Sequence, residues 1–358
     1  MESPNNQCCA GADARPKPAY VTGHIETAAG SIPTISTELS RGDRRDNLKV
    51  RLGIGRTTYR IQPGLYAVGS PDAGSPVLVT ANYKLTFDHL RKELPGLDVY
   101  IMVLDTRGIN VWCAAGKGTF GTDEVVNRLR ETRLDEIVNH RHLILPQLSA
   151  AGVAAHEVSK RSGFRVTFGP IRSADIIAFF NAGMVATPEM RRVTFGLADR
   201  LVLAPNDIVQ WLKYFLPMLL VFFALSGIDR DGYSVGTLLS IGPRAVANLL
   251  IAYLGANAFG FGLLPWLPGR AFAVKGFVLG LLLFLVACAV GLGGANFIEY
   301  AGWALIMSAV SSFLVMNLTG SSTYTSLTGV RREMVYAVPF QAVFAILGLV
   351  LWMMARFV

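Results

Sequence analysis

Apolar residues are distributed along this chain in two different ways. From about Val209 onward they form long, nearly uncharged blocks, whereas before it they form short runs separated by Gly, Pro and charged residues. Five blocks, about Val209–Ile228, Ala245–Leu264, Ala271–Leu292, Tyr300–Leu318 and Val335–Ala355, approach the roughly 20 residues that carry a helix across a bilayer. Residues 209–358 are therefore expected to be a transmembrane domain of five helices. Upstream, the runs Lys49–Ile54, Thr57–Ile61 and Gly64–Val68 predict a small leading sheet. An alternation follows: the runs Pro76–Thr80, Val99–Leu104, Leu143–Leu145 and Arg165–Phe168 as strands, with helices at Thr86–Leu94, after Asn110, after Thr122, at Ala154–Arg161 and at Ser173–Asn181. Such alternation predicts βαβ units, hence a Rossmann-like α/β domain over residues 47–208 with a mostly parallel sheet and helices on both faces. Ligands of such sheets bind beyond the carboxyl ends of the strands, which directs attention to the loops after Val79, Leu104, Leu145 and Phe168. Residues 1–46, rich in Pro, Gly, Ser, Thr and charge, read as a mobile N-terminal tail.

Composition adds direction. At 52% hydrophobic residues the chain is too apolar for an ordinary soluble protein of 358 residues. The net charge of +8 is dispersed, with short clusters at Arg41 to Arg45, Arg191-Arg192 and Arg331-Arg332 and no aromatic interleaving, so nucleic acid is not the expected partner; anionic lipid headgroups are. No apolar leader occupies the first forty residues, and Arg270, Lys275, Arg331 and Arg332 fall in the loops on the N-terminal side of the membrane. The soluble half is thus expected in the cytoplasm, with the chain a multi-pass protein of the cell membrane. Inside the blocks stand Asn248, Asn257, Ser308, Ser311, Ser312 and Gln341 but no pair of carboxylates, while Gly255, Gly260, Gly280 and Gly291 suit close helix packing. An anchor or interaction platform is expected rather than an ion path.

Nucleotide and zinc motifs fail. Gly116-Lys117-Gly118 lacks the following Ser or Thr of a phosphate loop, Gly53-Ile54-Gly55 finds no third Gly at Thr58, and no paired Cys-x-x-Cys or His-Glu-x-x-His occurs. Of four cysteines, Cys8 and Cys9 lie in the tail and Cys288 lies within an apolar block, which leaves Cys113 in the α/β region. Asn110 can cap a short helix that Gly116 and Gly118 soon end, placing Cys113 in a first turn where free N–H groups and the dipole favour anionic sulfur. On these residues alone Cys113 reads as a small buried hydrophobe before it reads as a functional thiol, and Trp112 reads equally as a core anchor.

The octapeptide Asn110-Val111-Trp112-Cys113-Ala114-Ala115-Gly116-Lys117, with Thr80-Ala81-Asn82-Tyr83-Lys84-Leu85-Thr86 before it, resembles the cap-helix and corrinoid-facing segments of the HgcA family of mercury-methylation corrinoid proteins. The likeness extends over about residues 50–358, including the five apolar blocks. It implies a cobalamin-type corrinoid held base-off, with the Cys113 thiolate as lower axial ligand of cobalt and Asn110, Val111, Trp112, Ala114, Ala115, Gly116 and Lys117 forming the surface under the ring. Thr80 and Asn82 match the segment near the ring or its nucleotide tail. The corrinoid iron–sulfur proteins of the acetyl-CoA pathway are similar in the same region and imply that Gln147, Ser149, Gly169 and Pro170 hold the tail. The implied activity is corrinoid-dependent methyl transfer to inorganic Hg(II), forming methylmercury, the methyl group reaching the corrinoid through a separate methyl-donor methyltransferase. A four-cysteine cluster motif is absent, so the resemblance also implies a ferredoxin-like iron–sulfur partner of the HgcB type as electron donor. Rival expectations are a methyl carrier for a thiol or protein acceptor, and a cobalamin carrier without catalysis.

Overall fold

Seven strands and seven helices of the computed structural model, which describes residues 18–318 and 327–358, belong to the N-terminal part. They are β1 (Val21–Thr27), β2 (Gly30–Ile35), α1 (Arg41–Arg51), β3 (Gly64–Val68), β4 (Val77–Ala81), α2 (Lys84–Arg91), β5 (Val99–Leu104), α3 (Val111–Lys117), α4 (Thr122–Thr132), α5 (Leu134–Ile137), β6 (His142–Leu145), α6 (Ala155–Ser162), β7 (Arg165–Phe168) and α7 (Ile176–Asn181). The sheet is mixed, in the order β1-β2-β3-β5-β4-β6-β7: the pairs β5-β4, β4-β6 and β6-β7 are parallel, as is β2-β3, while β1-β2 and β3-β5 run antiparallel. Alternation along β5 explains how it is covered. Tyr100, Met102 and Leu104 pack with Val111 and Ala114 of α3, Val125 of α4 and Val158 of α6; Val99, Ile101 and Val103 pack on the other face with Phe87 of α2 and Phe179 of α7.

Two expectations fail here. Lys49–Ile54 and Thr57–Ile61 are not strands: the first overlaps the end of α1 and the second begins as turn at Thr57 and Thr58 and continues irregularly, with one isolated bridge from Arg60 to Tyr83. Alternating Leu48, Val50, Leu52 and Ile54 imitate a strand, yet the local signal is a helix start. Ser40 Oγ accepts from Asp43 N and Ser40 N donates to an Asp43 carboxylate oxygen, both at 3.0 Å, a reciprocal cap. Nor is the stretch up to residue 46 a structureless tail throughout, because its described part supplies the β1-β2 hairpin and α1; residues 1–17, with Cys8 and Cys9, lie outside the described residues.

Buried charges fasten this segment. The Arg91 guanidinium, without solvent exposure, donates to the Ser36 and Glu38 carbonyl oxygens at 2.7 Å, to Asp43 at 2.9 Å and to Asp88 at 2.8 Å. Lys84 Nζ bridges the same two carboxylates at 2.6 and 2.7 Å. Burial alone would raise the Asp43 carboxyl, but hydrogen bonds from Lys84 and Ser40 outweigh it and bring the value from 3.8 to about 2. A depressed folded value means that the stabilisation is complete above about pH 4 and lost as the pH falls toward about 2, on the order of 2 kcal/mol. Unfolding followed between pH 5 and 2 should show this acid limb, and Asp43→Asn should flatten it while lowering stability at neutral pH.

The chain divides into two compact units, Met1–Leu48 with Gly55–Arg192, and Lys49–Ile54 with Val193–Val358. The division falls near residue 192 rather than at the compositional boundary of 208, because Phe195 and Leu203 already pack with the apolar helices that follow. After α8 (Leu197–Leu201) come α9 (Ala204–Leu225), α10 (Val235–Gly262), α11 (Phe272–Ala289), α12 (Phe297–Asn317) and α13 (Leu327–Met354). Among the described residues, five helices are long and apolar enough to cross a membrane. Asn248, Asn257, Ser308, Ser311, Ser312 and Gln341 are all buried in this unit. Gly276 and Gly280, one turn apart on α11, lie against the backbone of α12: a Cβ on Gly276 would stand 2.7 Å from Ser312 Cα, and one on Gly280 2.5 Å from Ser308 Cα. Gly255 and Gly260 likewise abut Leu283 and Val315, whereas Gly291, expected among the packing glycines, has open space around it and a φ of 82° just past the end of α11.

Candidate functional site

The parallel strands β4 and β5 end side by side at Ala81 and Leu104. Asn82, the next residue after β4, is buried and reaches into the loop after β5. Its Oδ1 accepts from Thr106 N at 3.1 Å and Gly108 N at 2.9 Å, and its Nδ2 donates to Asp105 Oδ1 at 3.0 Å. Asp105 N donates to Glu124 of α4 at 2.8 Å, and the Thr106 hydroxyl to the Ile109 carbonyl at 2.6 Å. The loop therefore holds a left-handed Arg107-Gly108 pair, with φ of 58° and 73°, on side chains from two neighbouring elements. Asn82→Ala would leave the Thr106 and Gly108 N–H groups buried without acceptors, a loss of about 3 kcal/mol. Chemical denaturation should register it, with hydrogen exchange accelerated first in residues 105–110.

Directly after this loop Asn110 caps α3, its Oδ1 accepting from Cys113 N at 2.9 Å, and Gly118 ends the helix in a left-handed conformation at φ 80°. The local expectation for this helix is met at both ends. Val111, Ala114 and Ala115 face the core, so the turn presents the opposite residues outward: Trp112 is 44% exposed, Cys113 partly exposed, Gly116 and Lys117 exposed. Trp112 is accordingly not a core anchor, and Cys113 not a fully buried hydrophobe. A Cβ on Gly116 would meet nothing within 4 Å. Gly152, by contrast, sits so tightly under α3 that a Cβ there would collide with Phe120 O and approach Ala115 Cα to 2.9 Å.

Beside α3 a cleft of about 260 Å³ opens at the carboxyl ends of β4, β6 and β7. Thr80, Val111, Gly169 and Pro170 line it, as do Thr86 and His89 from α2 and Ser173 from the turn before α7. Four expected site residues thus share one wall, while Cys113 lies outside the cleft on the exposed side of α3. Three others stand elsewhere. Asn82 is committed to the loop, Ser149 is fully buried with its hydroxyl donating to Pro146 O at 2.8 Å, and Gln147 is partly exposed on the same turn but does not line the cleft. Gly169 is packed between strands, its N–H donating to Leu145 O at 2.8 Å and a Cβ there meeting Ile144 at 3.1 Å. Sequence reasoning missed Thr106, Glu124 and Gly152 as supports and, of the α2 residues in the cleft wall, His89 and Leu90; Leu85 and Thr86 fell within the expected corrinoid-facing segment.

Residues 53–180, which cover this strand and helix arrangement, match the family described as CO dehydrogenase/acetyl-CoA synthase delta subunit. Among curated proteins the chain is similar to the acetyl-CoA decarbonylase/synthase complex subunit gamma of Archaeoglobus fulgidus, 33% identical over 123 residues, covering 34% of this chain and 26% of that protein. The subunit gamma of Methanothermobacter thermautotrophicus is 34% identical over 123 residues, again 34% of this chain and 26% of the relative. The corrinoid/iron-sulfur protein large subunit of Moorella thermoacetica is 27% identical over 129 residues, 36% of this chain and 28% of that subunit. The chain thus spans about a quarter of the length of the curated relatives it matches.

Proposed function

We propose that this chain is a membrane-anchored corrinoid protein that passes a methyl group to inorganic Hg(II). The observation that carries the reading is the outward face of α3: a partly exposed thiol at Cys113, flanked by exposed Trp112 and by Gly116 with open space above it, at the carboxyl end of parallel strands. The likeness over 129 residues to a protein named as a corrinoid/iron-sulfur protein large subunit supports the cofactor class. The five apolar helices, together with the octapeptide Asn110–Lys117, support the mercury-methylating branch of that class.

The residues fit a corrinoid in a specific way. Trp112, Cys113, Gly116 and Lys117, the outward residues of α3, would hold the group, Cys113 offering a sulfur donor and Gly116 leaving open space beside it. The cleft of about 260 Å³ is too small for a whole corrinoid, since sites for ordinary drug-sized ligands measure roughly 300–1,000 Å³. It suits the nucleotide tail, which Thr80, Pro146, Gly169 and Pro170 would border. When bound, the corrinoid supplies the methyl group and the cobalt chemistry. The chain's part would be to present the Cys113 sulfur to the group as an electron-rich ligand, of the kind that thiolates are at haem iron. Asn82, Thr106 and Asn110 fix the position of that sulfur by holding the loop and the first turn of α3.

Electrons come from outside the chain on this reading. A cluster of the cubane type takes four thiolates, and the chain has four cysteines of which Cys113 is assigned to cobalt. A ferredoxin-like iron–sulfur protein and a methyl-donor methyltransferase would therefore dock on the α/β domain, on the cytoplasmic side of the membrane. The visible absorption spectrum of the purified chain loaded with a corrinoid tests the core of the proposal. A sulfur-ligated cobalt spectrum is expected, converting to a water-ligated one in Cys113→Ala; an identical spectrum in both proteins would remove Cys113 from the metal.

A further inference from the structure

In the helical unit, α11 and α13 flank a groove of about 730 Å³ whose wall is overwhelmingly apolar, with Phe277, Phe340 and Phe344 along it. Arg270, in the connection before α11, and Arg332, in the first turns of α13, border the same groove and are exposed. Glu333 stands beside them but its carboxylate is engaged, accepting from Ala273 N at the start of α11 at 2.6 Å. Neither arginine has a carboxylate partner among the described residues. From Arg332 to Phe344 the helical rise amounts to about 18 Å, close to one leaflet of a hydrocarbon core roughly 30 Å thick.

We propose that this groove binds one anionic glycerophospholipid, its phosphate between Arg270 and Arg332 and an acyl chain along the phenylalanines. The proposal rests on the helices crossing a bilayer and is independent of the corrinoid reading. Charge decides the occupant. Two unpaired guanidinium groups at headgroup level face an apolar slot one leaflet deep, and basic sites between membrane helices take anionic headgroups for that reason. A zwitterionic lipid would fill the slot equally well but bring a cation toward the arginines.

The test uses the full chain, delipidated in neutral detergent and titrated with phosphatidylglycerol. Its melting temperature should rise saturably. The Arg270→Gln/Arg332→Gln double variant should need about 30-fold more lipid for the same rise, the loss expected of two headgroup-level arginines. Arg331→Gln, adjacent but not lining the groove, should titrate like the parent. Intact-mass spectra of protein exchanged into mixed phosphatidylglycerol and phosphatidylcholine should show one retained phosphatidylglycerol on the parent and none on the double variant, a readout that does not depend on the variant's own melting point. An equal shift from phosphatidylcholine with the same chains, a shift from glycerol phosphate alone, or a double variant that keeps its phosphatidylglycerol would each overturn the assignment.

Discussion

Cells carrying Cys113→Ala in place of the native chain are expected to hold the protein in their membranes at normal abundance and to form no methylmercury from Hg(II). Both halves of that expectation come from α3. Its packing is made by Val111, Ala114 and Ala115, none of which the substitution touches, and Ala is the strongest helix former, so the turn should persist. What disappears is the sulfur on the exposed side, and with it the cobalt ligand that the proposed function requires. Cys113→His should fall between the two, because imidazole can ligate cobalt but is a weaker donor than thiolate. Methylmercury measured against immunoblotted protein separates loss of chemistry from loss of chain, and native-level methylation by Cys113→Ala would end the axial-ligand role.

The largest effect on stability is expected at Arg91. Arg91→Ala would leave Lys84 as the one cation shared by Asp43 and Asp88 and remove a guanidinium donor from the part-buried carbonyl oxygens of Ser36 and Glu38. Removing one partner from such a buried network destabilises by about 3–5 kcal/mol. Because the lost bonds join α2 to the stretch between β2 and α1, limited proteolysis should cut between residues 36 and 43 before the rest of the sheet opens. Arg91→Lys should recover little of it, since an ammonium cannot reach four acceptors with the planar fork of a guanidinium. A melting temperature unchanged by Arg91→Ala would show that the network is neutral to folding.

Strands with a strong apolar run were legible in the sequence down to their ends, and the long helices in their apolar middles. Val99–Leu104 and Arg165–Phe168 are strands with the expected limits, and each apolar block after Val209 contains most of one long helix. The N-terminal hairpin was not legible because β1, Val-Thr-Gly-His-Ile-Glu-Thr, is an edge strand with few large apolar residues. It is held by pairing with β2, and the stretch that follows it by an arginine 55 positions beyond Ser36. A window of neighbours carries no sign of such a partner. The site shows the same limit at finer scale. The segment around Asn82 reads from the sequence as a candidate ligand-facing stretch, but a buried amide can face a ligand or a loop, and only the register of β4 beside β5 places it against Thr106 and Gly108.

The glycine contact between α11 and α12 has a mechanical meaning. Where Gly276 and Gly280 meet the backbone at Ser308 and Ser312, the two helices are separated by less than the width of a side chain. Sliding α11 along α12 by one turn would bring Phe272 or Phe284 to bear on that backbone, where interiors are close-packed and cannot yield by such amounts. The pair can move only as a single stave. A carrier that alternates its opening from one side of a bilayer to the other would have to hinge around this stave, along its contacts with α10 and α13, rather than between its two helices.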